Sequence, residues 1–358
     1  MAKFPIADGA GFSSDDEISE ALAQPSFGKF FSDHSAYAKW TPEAGWHDHA
    51  LVGRDALNLH PGTAALHYGQ EIFEGLKAFR HADDSVWIFR PEMNAARFAA
   101  SARRMAMAEL PEEDFLASVI ELVTTDHAWV PNGDGERSLY LRPFMFASET
   151  LIGVRAAAEY TYMVIATPAS PFYPEPLKLW VTPDYSRTAA GGTGMAKCGG
   201  NYAASMAAEA QAHENGCGQV LWLDSATRTN IEEGGTMNFF VVTRDGELVT
   251  PSLDGNILAG VTRDSLLKLA EFHDLKPVER DLPLTQVCEQ IKAGQITEAF
   301  ACGTAAVVSP VIGLKAPDFE VTVADGKPGE KTLELRGHLT GIQLGNREDT
   351  FGWLTRVR

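Results

Sequence analysis

The stretch TPASPFYPEP, residues 167–176, contains four prolines in ten residues and divides the chain in two. Proline has no backbone N–H, so such a stretch is predicted to continue neither a helix nor a central strand. We therefore predict a linker at 167–176 between a domain of residues 1–166 and one of residues 177–358. The length of 358 residues agrees with two domains of about 150 residues each.

Strand-like and helical patterns alternate before this stretch. Pro91 follows the strand-like VWIFR and is predicted to open a helix, and Pro111 is predicted to open a second helix whose first turn is acidic. The runs SLYLRPFMF (138–146) and YTYMVIAT (160–167) are typical of strands. The first half is therefore predicted to be mixed α/β.

A sheet with helices and tight glycine turns is predicted after the linker. LKLWVTP alternates as a strand, and Asn201 is placed to cap an alanine-rich helix that ends near Asn215 and Gly216. QVLWLD and MNFFVVT are predicted to be paired strands that flank a loop, IEEGGTMN (231–238).

Composition and charge limit the classes of partner. The chain is 45% hydrophobic, enough for a large core, and its net charge of −18 comes from 48 acidic and 30 basic residues. Such a field repels nucleic acid and anionic membranes. No export signal and no run of about 18 apolar residues is found, and the four cysteines are far apart. We expect a reduced, cytoplasmic setting and no membrane span.

Lys197 lies in the glycine-rich loop GGTGMAKCGG (191–200). A lysine in such a loop is usually just solvated. The functional alternative requires a partly desolvated, neutral amine that can attack a carbonyl. Neighbouring glycines would let the backbone approach a planar ring.

Glu232 and Glu233 lie in the predicted loop. Adjacent acids normally point in different directions, so at most one is expected to meet a ligand, and both could simply be solvated. The functional alternative is a carboxylate that keeps a heteroaromatic nitrogen protonated.

Two glycine turns could bind an anion. Val261 and Thr262 precede a predicted helix, whose free N–H groups suit a phosphate. A threonine at such a position is more often a purely structural cap, and the Gly303-Thr304 turn is as weak a signal by itself. No P-loop motif for a nucleoside triphosphate is present.

Two other polar patterns remain ambiguous. His47 and His49 invite a metal interpretation, but they lack a third ligand at a recognisable spacing, so we expect a polar surface loop and no metal site. Arg142 interrupts an apolar strand and shares a face with Tyr140. Its charge must find an anion or point outward, and the outward orientation is slightly favoured.

Nine segments, in this order, resemble the branched-chain amino acid aminotransferases, which are pyridoxal-phosphate enzymes of fold type IV. They cover most of the chain: FGKFFSDH (27–34), LHPGTAALHYGQEIFEGLKAFR (59–80), FRPEMNAARF (89–98), LYLRPFMF (139–146), MAKCGGNY (195–202), QVLWLD (219–224), IEEGGTMNFF (231–240), GVTRDS (260–265) and GTAAVVSPV (303–311).

The resemblance implies an α/β (α+β) fold with a smaller N-terminal α/β domain, a proline-rich interdomain loop and a larger C-terminal domain. Pyridoxal 5'-phosphate would lie between the domains. It also implies a homodimer, or an assembly of dimers, whose active sites are completed by the partner subunit. The expected reaction transfers an amino group between L-leucine, L-isoleucine or L-valine and 2-oxoglutarate.

The resemblance also assigns the cofactor site. Lys197 would be the Schiff-base lysine and proton shuttle, Tyr202 would lie near the phenolic oxygen of the cofactor, and Glu233 would meet the pyridine nitrogen, with Glu232 as a bystander. The phosphate would be bound by Arg97, by the backbone of Val261 and Thr262, and by Thr304.

For the substrate, the resemblance implies a carboxylate site near Thr236 and Ala305, with Tyr68 as a further pocket residue. Arg142 would lie at the pocket mouth. A cysteine pair of mammalian relatives is replaced by Ala306 and Ser309, so thiol regulation of that kind is not expected. The apolar pocket would comprise Phe27, Phe73 and Tyr140, with Ile152 and Val154 reaching in from the partner subunit.

Two other classes of function stay open. D-amino acid aminotransferases and aminodeoxychorismate lyases share the lysine, the acid and the phosphate cup, but they differ in the pocket. An acidic scaffold or a small-ligand binding module would carry no cofactor and would be colourless.

Overall fold

The chain folds into two compact units in a computed structural model that describes residues 2–54, 57–173 and 175–358. The first unit comprises Met1–Phe172, Ala196–Gly199 and Ile342–Arg358, and the second comprises Tyr173–Met195 and Gly200–Gly341. The short segment around Lys197 and the end of the chain thus belong to the first unit. The sequence-based division had placed all of 177–358 in the second domain.

The first unit is built on an eight-stranded sheet in the order β17-β5-β4-β6-β7-β1-β2, with β3 paired to β6. Its strands are β1 (His34–Thr41), β2 (Gly45–Gly53), β3 (Glu71–Phe73), β4 (Leu76–Arg80), β5 (Val86–Phe89), β6 (Ser138–Ala147), β7 (Tyr160–Ala169) and β17 (Leu354–Arg356). Its helices are α1 (Asp15–Ala23), α2 (Ala65–Tyr68), α3 (Pro91–Arg104) and α4 (Glu112–Thr125).

The two helices predicted after Pro91 and Pro111 are confirmed. Pro91 is the first residue of α3, where its missing N–H costs nothing, and Pro111 caps α4. Aromatic residues from these helices pack on the sheet: the Phe98 ring lies 5.4 Å from Phe115 and 5.5 Å from Tyr162, centroid to centroid. This packing makes a buried core between α3, α4 and β7.

The linker begins later than the predicted residue 167. β7 continues to Ala169, and Pro168 pairs with Leu139 of β6. A proline is tolerated there because its missing N–H would point to the side of β7 on which β1 lies. β1 pairs with β7 only between Tyr160 and Val164, so no partner strand lies on that side at Pro168. Pro174 lies outside the described residues.

The second unit is built on a nine-stranded sheet in the order β10-β9-β8-β15-β14-β11-β12-β13, with β16 paired to β15. A further pairing of β10 with β11 closes six of these strands into a ring. The strands are β8 (Leu177–Val181), β9 (Gln219–Leu223), β10 (Ile231–Gly234), β11 (Met237–Thr243), β12 (Glu247–Thr250), β13 (Lys276–Glu279), β14 (Ile296–Gly303), β15 (Val307–Lys315) and β16 (Glu320–Thr322).

Five helices complete the description: α5 (Gly199–Ala203), α6 (Met206–Glu214), α7 (Val261–Leu269), α8 (Leu284–Lys292) and α9 (Glu330–Gln343). The described residues contain no helix that is long and apolar enough to cross a membrane.

Two predicted elements are wrong in detail. Residues 231–234 form β10, which lies between β9 and β11, so QVLWLD and MNFFVVT do not pair directly with each other. Asn201 does not cap the alanine-rich helix. It lies inside α5, where its side chain bonds Thr193, and Ser205 occupies the position before α6. The predicted helix end is confirmed, since Asn215 is the C-cap of α6.

Candidate active site

Lys197 is fixed by its backbone to two elements of the first unit. The Phe73 N–H donates to the Lys197 carbonyl oxygen (2.9 Å), and the Lys197 N–H donates to Ser101 Oγ of α3 (3.0 Å). Its Nζ lies 4.9 Å from the centroid of the Phe73 ring. The carboxyl of Glu71 lies against the backbone of Gly199, where an added Cβ would be 1.6 Å from Glu71 Oε1 and would displace that side chain. The lysine is half-buried against an aromatic face rather than solvated in a loop.

Arg97 is held by a fully buried carboxylate that the sequence did not indicate. Glu74 Oε1 accepts from Arg97 Nε (2.7 Å), and Glu74 Oε2 accepts from Arg97 Nη2 (2.8 Å) and from Asn94 Nδ2 (2.7 Å). Burial opposes ionisation of Glu74, but the charges of Arg97 and Lys197 and the hydrogen bonds keep its pKa below the usual value. Glu74 is therefore a buried anion paired with Arg97.

The predicted apolar pocket residues form one cluster in the first unit. The Phe27 ring lies 4.7 Å from the Tyr140 ring. The Arg142 guanidinium lies 4.6 Å from the Phe73 ring centroid and 5.4 Å from that of Tyr140, and its Nη2 donates to the Tyr140 hydroxyl (3.1 Å). Arg142 thus lies on the same face as Tyr140, as the alternation of strand side chains predicted, and it lies over two aromatic rings, so the favoured outward orientation is wrong.

Three predicted substrate residues lie on the surface of the first unit. Ile152 is 72% exposed, Val154 is 92% exposed, and Tyr68 at the end of α2 is 41% exposed. Large apolar side chains exposed to this extent lack the contacts of a pocket within the described chain.

Glu232 and Glu233 of the second unit are buried, contrary to the expectation of solvated hairpin carboxylates. Glu233 Oε1 accepts from the Leu258 N–H (2.9 Å) and from Asn238 Nδ2 (3.4 Å), and Arg187 Nε lies 3.0 Å from Glu233 Oε2. Arg187 Nη2 donates to the Asn256 carbonyl oxygen. Arg187 and Asn238 are therefore site residues that spacing in the sequence did not reveal.

The start of α7 is the predicted anion site. Gly260 is extended and caps the helix, so the first backbone N–H groups, those of Val261 and Thr262, have no acceptor within α7. A Cβ on Gly260 would lie 2.0 Å from Asn238 Oδ1, so glycine lets the helix start lie against β11. Both Val261 and Thr262 are buried.

Two turns of the second unit carry the remaining predicted residues. Thr304 and Ala305 form the turn between β14 and β15, and both are half-buried. Thr236 is exposed in the turn between β10 and β11, which pairs Gly234 with Met237. Tyr202 lies half-buried in α5.

The histidine pattern has a structural role. His47 and His49 lie in β2, not in a loop, and their rings bond the Gly45 carbonyl oxygen (3.0 Å) and Asp114 (3.2 Å). Within the described residues, no group of three or more histidine, cysteine or acidic side chains is arranged to hold a metal ion.

Comparison with known proteins identifies the family of this chain. The model of the amino-transferase class IV family matches residues 71–314. The chain belongs to the class IV aminotransferases. Branched-chain-amino-acid aminotransferases of Mycolicibacterium smegmatis and Mycobacterium tuberculosis are 48% and 46% identical to it, and each alignment covers 99% of this chain and 98% of the relative.

Solved structures of class IV aminotransferases share the fold. The Escherichia coli branched-chain amino acid aminotransferase has a TM-score of 0.72 at 25% identity, covering 90% of this chain and 99% of its own. A T.th. branched-chain amino acid aminotransferase in complex with N-(5'-phosphopyridoxyl)-L-glutamate has a TM-score of 0.72 at 28% identity, with the same coverage. The resemblance and the fold class drawn from the sequence are confirmed.

Class IV aminotransferases depend on pyridoxal 5'-phosphate, and the donor set of this chain fits that group. A lysine amine beside an aromatic face suits the carbonyl, and an arginine and a helix start suit the phosphate. A buried carboxylate paired with arginine suits a pyridine nitrogen. These are the groups that such a cofactor requires.

Proposed function

We propose that this protein is a pyridoxal-phosphate-dependent transaminase that moves the amino group between L-leucine, L-isoleucine or L-valine and 2-oxoglutarate. Identity of 48% over 99% of the chain to a branched-chain-amino-acid aminotransferase supports this substrate class. The structural observation that carries the proposal is the cluster of Phe27, Phe73, Tyr140 and Arg142 next to Lys197.

This cluster suits two kinds of substrate. Aromatic side chains provide apolar surface for a branched aliphatic group, whose burial is favourable by about 25 cal/mol per Å². Arg142 provides a positive charge over the same rings, which suits the second carboxylate of 2-oxoglutarate. One pocket can therefore serve both halves of a ping-pong reaction, in which each substrate leaves before the other binds.

Each site residue has a defined task in this proposal. The bound cofactor supplies an electron sink for the carbanion that forms when the substrate loses its α-proton. Lys197 would take that proton from the substrate α-carbon on Nζ and deliver it to the cofactor. Glu233 keeps the pyridine nitrogen protonated, and Arg97, Thr304 and the start of α7 bind the phosphate. Thr236 and Ala305 bind the substrate carboxylate, and Tyr202 lies near the phenolic oxygen.

We further propose a homodimer in which Ile152 and Val154 reach the partner subunit's pocket. Their exposure in the single chain supports this. Tyr68 is proposed as a pocket residue completed in the same way. A cytoplasmic setting is supported by the cysteines, because all four are buried thiols without disulfides.

Replacement of Lys197 by Ala tests the assignment. The purified variant should lose the visible absorbance of the bound cofactor and nearly all turnover, because the amine that holds the cofactor and moves the proton is gone. Lys178→Ala is the control, since Lys178 pairs with Glu320 on the surface. An unchanged visible band in Lys197→Ala would reject the assignment.

A spectral titration separates this proposal from its rivals. L-Leucine should convert the visible band of the purified protein within one half-reaction, whereas D-alanine should leave it unchanged. Conversion by D-alanine alone would favour a D-amino acid aminotransferase. A protein that stays colourless after addition of pyridoxal phosphate would be a scaffold or a binding module.

A further inference from the structure

Glu232 lies at a β-bulge. Along the β9 and β10 pairing, Ile231 is opposite Leu223 and Glu233 is opposite the next residue, Trp222, so Glu232 is the extra residue of β10. A bulge redirects side chains that would otherwise alternate between the two faces of the sheet. As a result, both neighbouring carboxyls reach one segment: Asn256 Nδ2 donates to Glu232 Oε1 (3.2 Å), and the Leu258 N–H donates to Glu233 Oε1.

The two carboxyls are not equally supported. Glu233 has Arg187 at 3.0 Å and the Leu258 N–H at 2.9 Å. Glu232 is 3% exposed and accepts from Asn256, but its Oε2 has no hydrogen-bond partner within the described residues. A buried carboxylate with an unsatisfied oxygen is costly, whereas a neutral carboxyl is much less so.

The surrounding charges also favour a neutral Glu232. Burial is the main cause that raises its pKa, to about 7, and the nearby Asp254 and Glu233 add to this, while the Asn256 hydrogen bond and Arg187 oppose it. The Arg187 guanidinium thus acts on both Glu232 and Glu233, and the carboxylate that it pairs with closely is Glu233. Neighbouring carboxyl groups cannot all ionise easily, because their negative charges repel each other.

We propose that Glu232 holds a proton in the folded protein and acts as a positioning residue that leaves Glu233 as the carboxylate paired with Arg187. The inference rests on the proposed role of Glu233 at the pyridine nitrogen. When Glu232 releases its proton to solvent, its carboxyl changes from neutral to a charge of −1 beside Glu233. Glu233 then holds a protonated ring nitrogen more strongly.

The proton on Glu232 can be observed without turnover. In the full-length protein with ¹³C-labelled glutamate carboxyls, one resonance should titrate near pH 7, well above the ordinary glutamate value of 4.5, and should be absent in Glu232→Gln. Glu214→Gln, which changes an exposed glutamate, should retain it. If all glutamate resonances of the wild-type protein titrate in the ordinary acidic range, the inference is wrong, whatever the variants do.

Stability should follow the same proton. Between about pH 4.5 and 7 the unfolded chain has released the Glu232 proton and the folded chain has not, so the folded state binds more protons and stability falls as the pH rises. Glu232→Gln removes this contribution. Its Tm should fall less than that of the wild type from pH 4.5 to 7, while Glu214→Gln should follow the wild type. Parallel curves for Glu232→Gln and wild type would contradict the inference.

The coupling to Glu233 is read from the cofactor itself. With ¹⁵N-labelled pyridoxal phosphate bound, the ring-nitrogen shift of the wild type should move further toward its protonated value as the pH passes 7, and that of Glu232→Gln should not. Identical pH dependence in both would overturn the positioning role. If Glu233→Gln leaves the ring-nitrogen shift unchanged at every pH, the proposed function of Glu233 fails instead, and the two failures are therefore distinct.

Discussion

The individual residues of the site owe their chemistry to partners far away in sequence. Arg97 in α3 meets Glu74, which lies between β3 and β4, and Lys197 is fixed by Phe73 and Ser101. A role for Arg97 and for Lys197 could be predicted from the sequence, because the motifs FRPEMNAARF and MAKCGGNY carry the resemblance. The partner of Arg97 could not, since no local pattern couples a turn glutamate to an arginine 23 residues later.

Replacement of Glu74 by Gln should weaken cofactor binding. The amide places an N–H group against the guanidinium and loses one of its two bonds, so Arg97 is no longer held in one orientation. We expect at least a tenfold rise in the Kd of pyridoxal phosphate, or about 1.4 kcal/mol, and a loss of stability of about 3 kcal/mol. Fluorescence titration and chemical unfolding measure the two effects.

A double variant separates orientation from folding. Glu74→Leu with Arg97→Met removes the buried carboxylate together with the partly buried guanidinium paired with it. This double variant should recover stability, because apolar replacement of such an ion pair is well tolerated. Cofactor affinity should stay low in that variant. Full affinity in the double variant would show that Arg97 does not bind the phosphate.

At the scale of elements, the strands and helices followed from sequence where the periodicity is simple. α3, α4, β6 and β7 appear where proline, acidic first turns and apolar runs predicted them. IEEGGTMN was misassigned as a loop because four residues of β10 include two acids and a bulge, which break the alternation of a strand. Its carboxyls bond Asn256 and the Leu258 N–H, which lie 24 and 25 residues later, and no local pattern reveals those contacts.

The start of α7 depends on the absence of a side chain at Gly260. Gly260→Ala would place a Cβ against Asn238, which is buried and bonds the Leu258 carbonyl oxygen, so the helix start must shift. We expect the Kd of pyridoxal phosphate to rise about tenfold or more, corresponding to about 1.4 kcal/mol. Equilibrium titration of the apoprotein provides the measurement.

Gly337→Ala is the matched control for this substitution. Gly337 lies in α9 with open space around the added Cβ, so alanine should raise stability by about 0.5–1 kcal/mol without changing cofactor affinity. Equal affinities for Gly260→Ala and the wild type would remove α7 from the phosphate site.

At the scale of the whole molecule, the chain leaves and re-enters its first unit. Ala196–Gly199 and Ile342–Arg358 belong to that unit, although the residues before each segment belong to the second. A division drawn at one proline-rich stretch could not foresee this, because composition marks a linker but not a return of the chain. The reason for the return at the end is the pairing of β17 with β5.

Trp353 anchors this return. It is buried against Phe89, and the Arg90 guanidinium lies 4.8 Å from its ring centroid. Trp353→Ala should cost about 3–5 kcal/mol of stability, measured by chemical unfolding, and should increase protease cleavage of the first unit. Leu333→Ala, at a half-exposed position of α9, should change stability by about 0.5 kcal/mol or less. Equal losses in the two variants would contradict the anchoring role.

The late pairing of β17 also has a consequence during synthesis on the ribosome. β5 is made early but gains its β17 partner only when residues 354–356 emerge, after all other strands. Until then, that edge of the sheet presents unpaired N–H and carbonyl groups, which invite pairing with other chains. A nascent chain that has not yet released residues 354–356 therefore has an open sheet edge at β5, and pairing with β17 closes that edge.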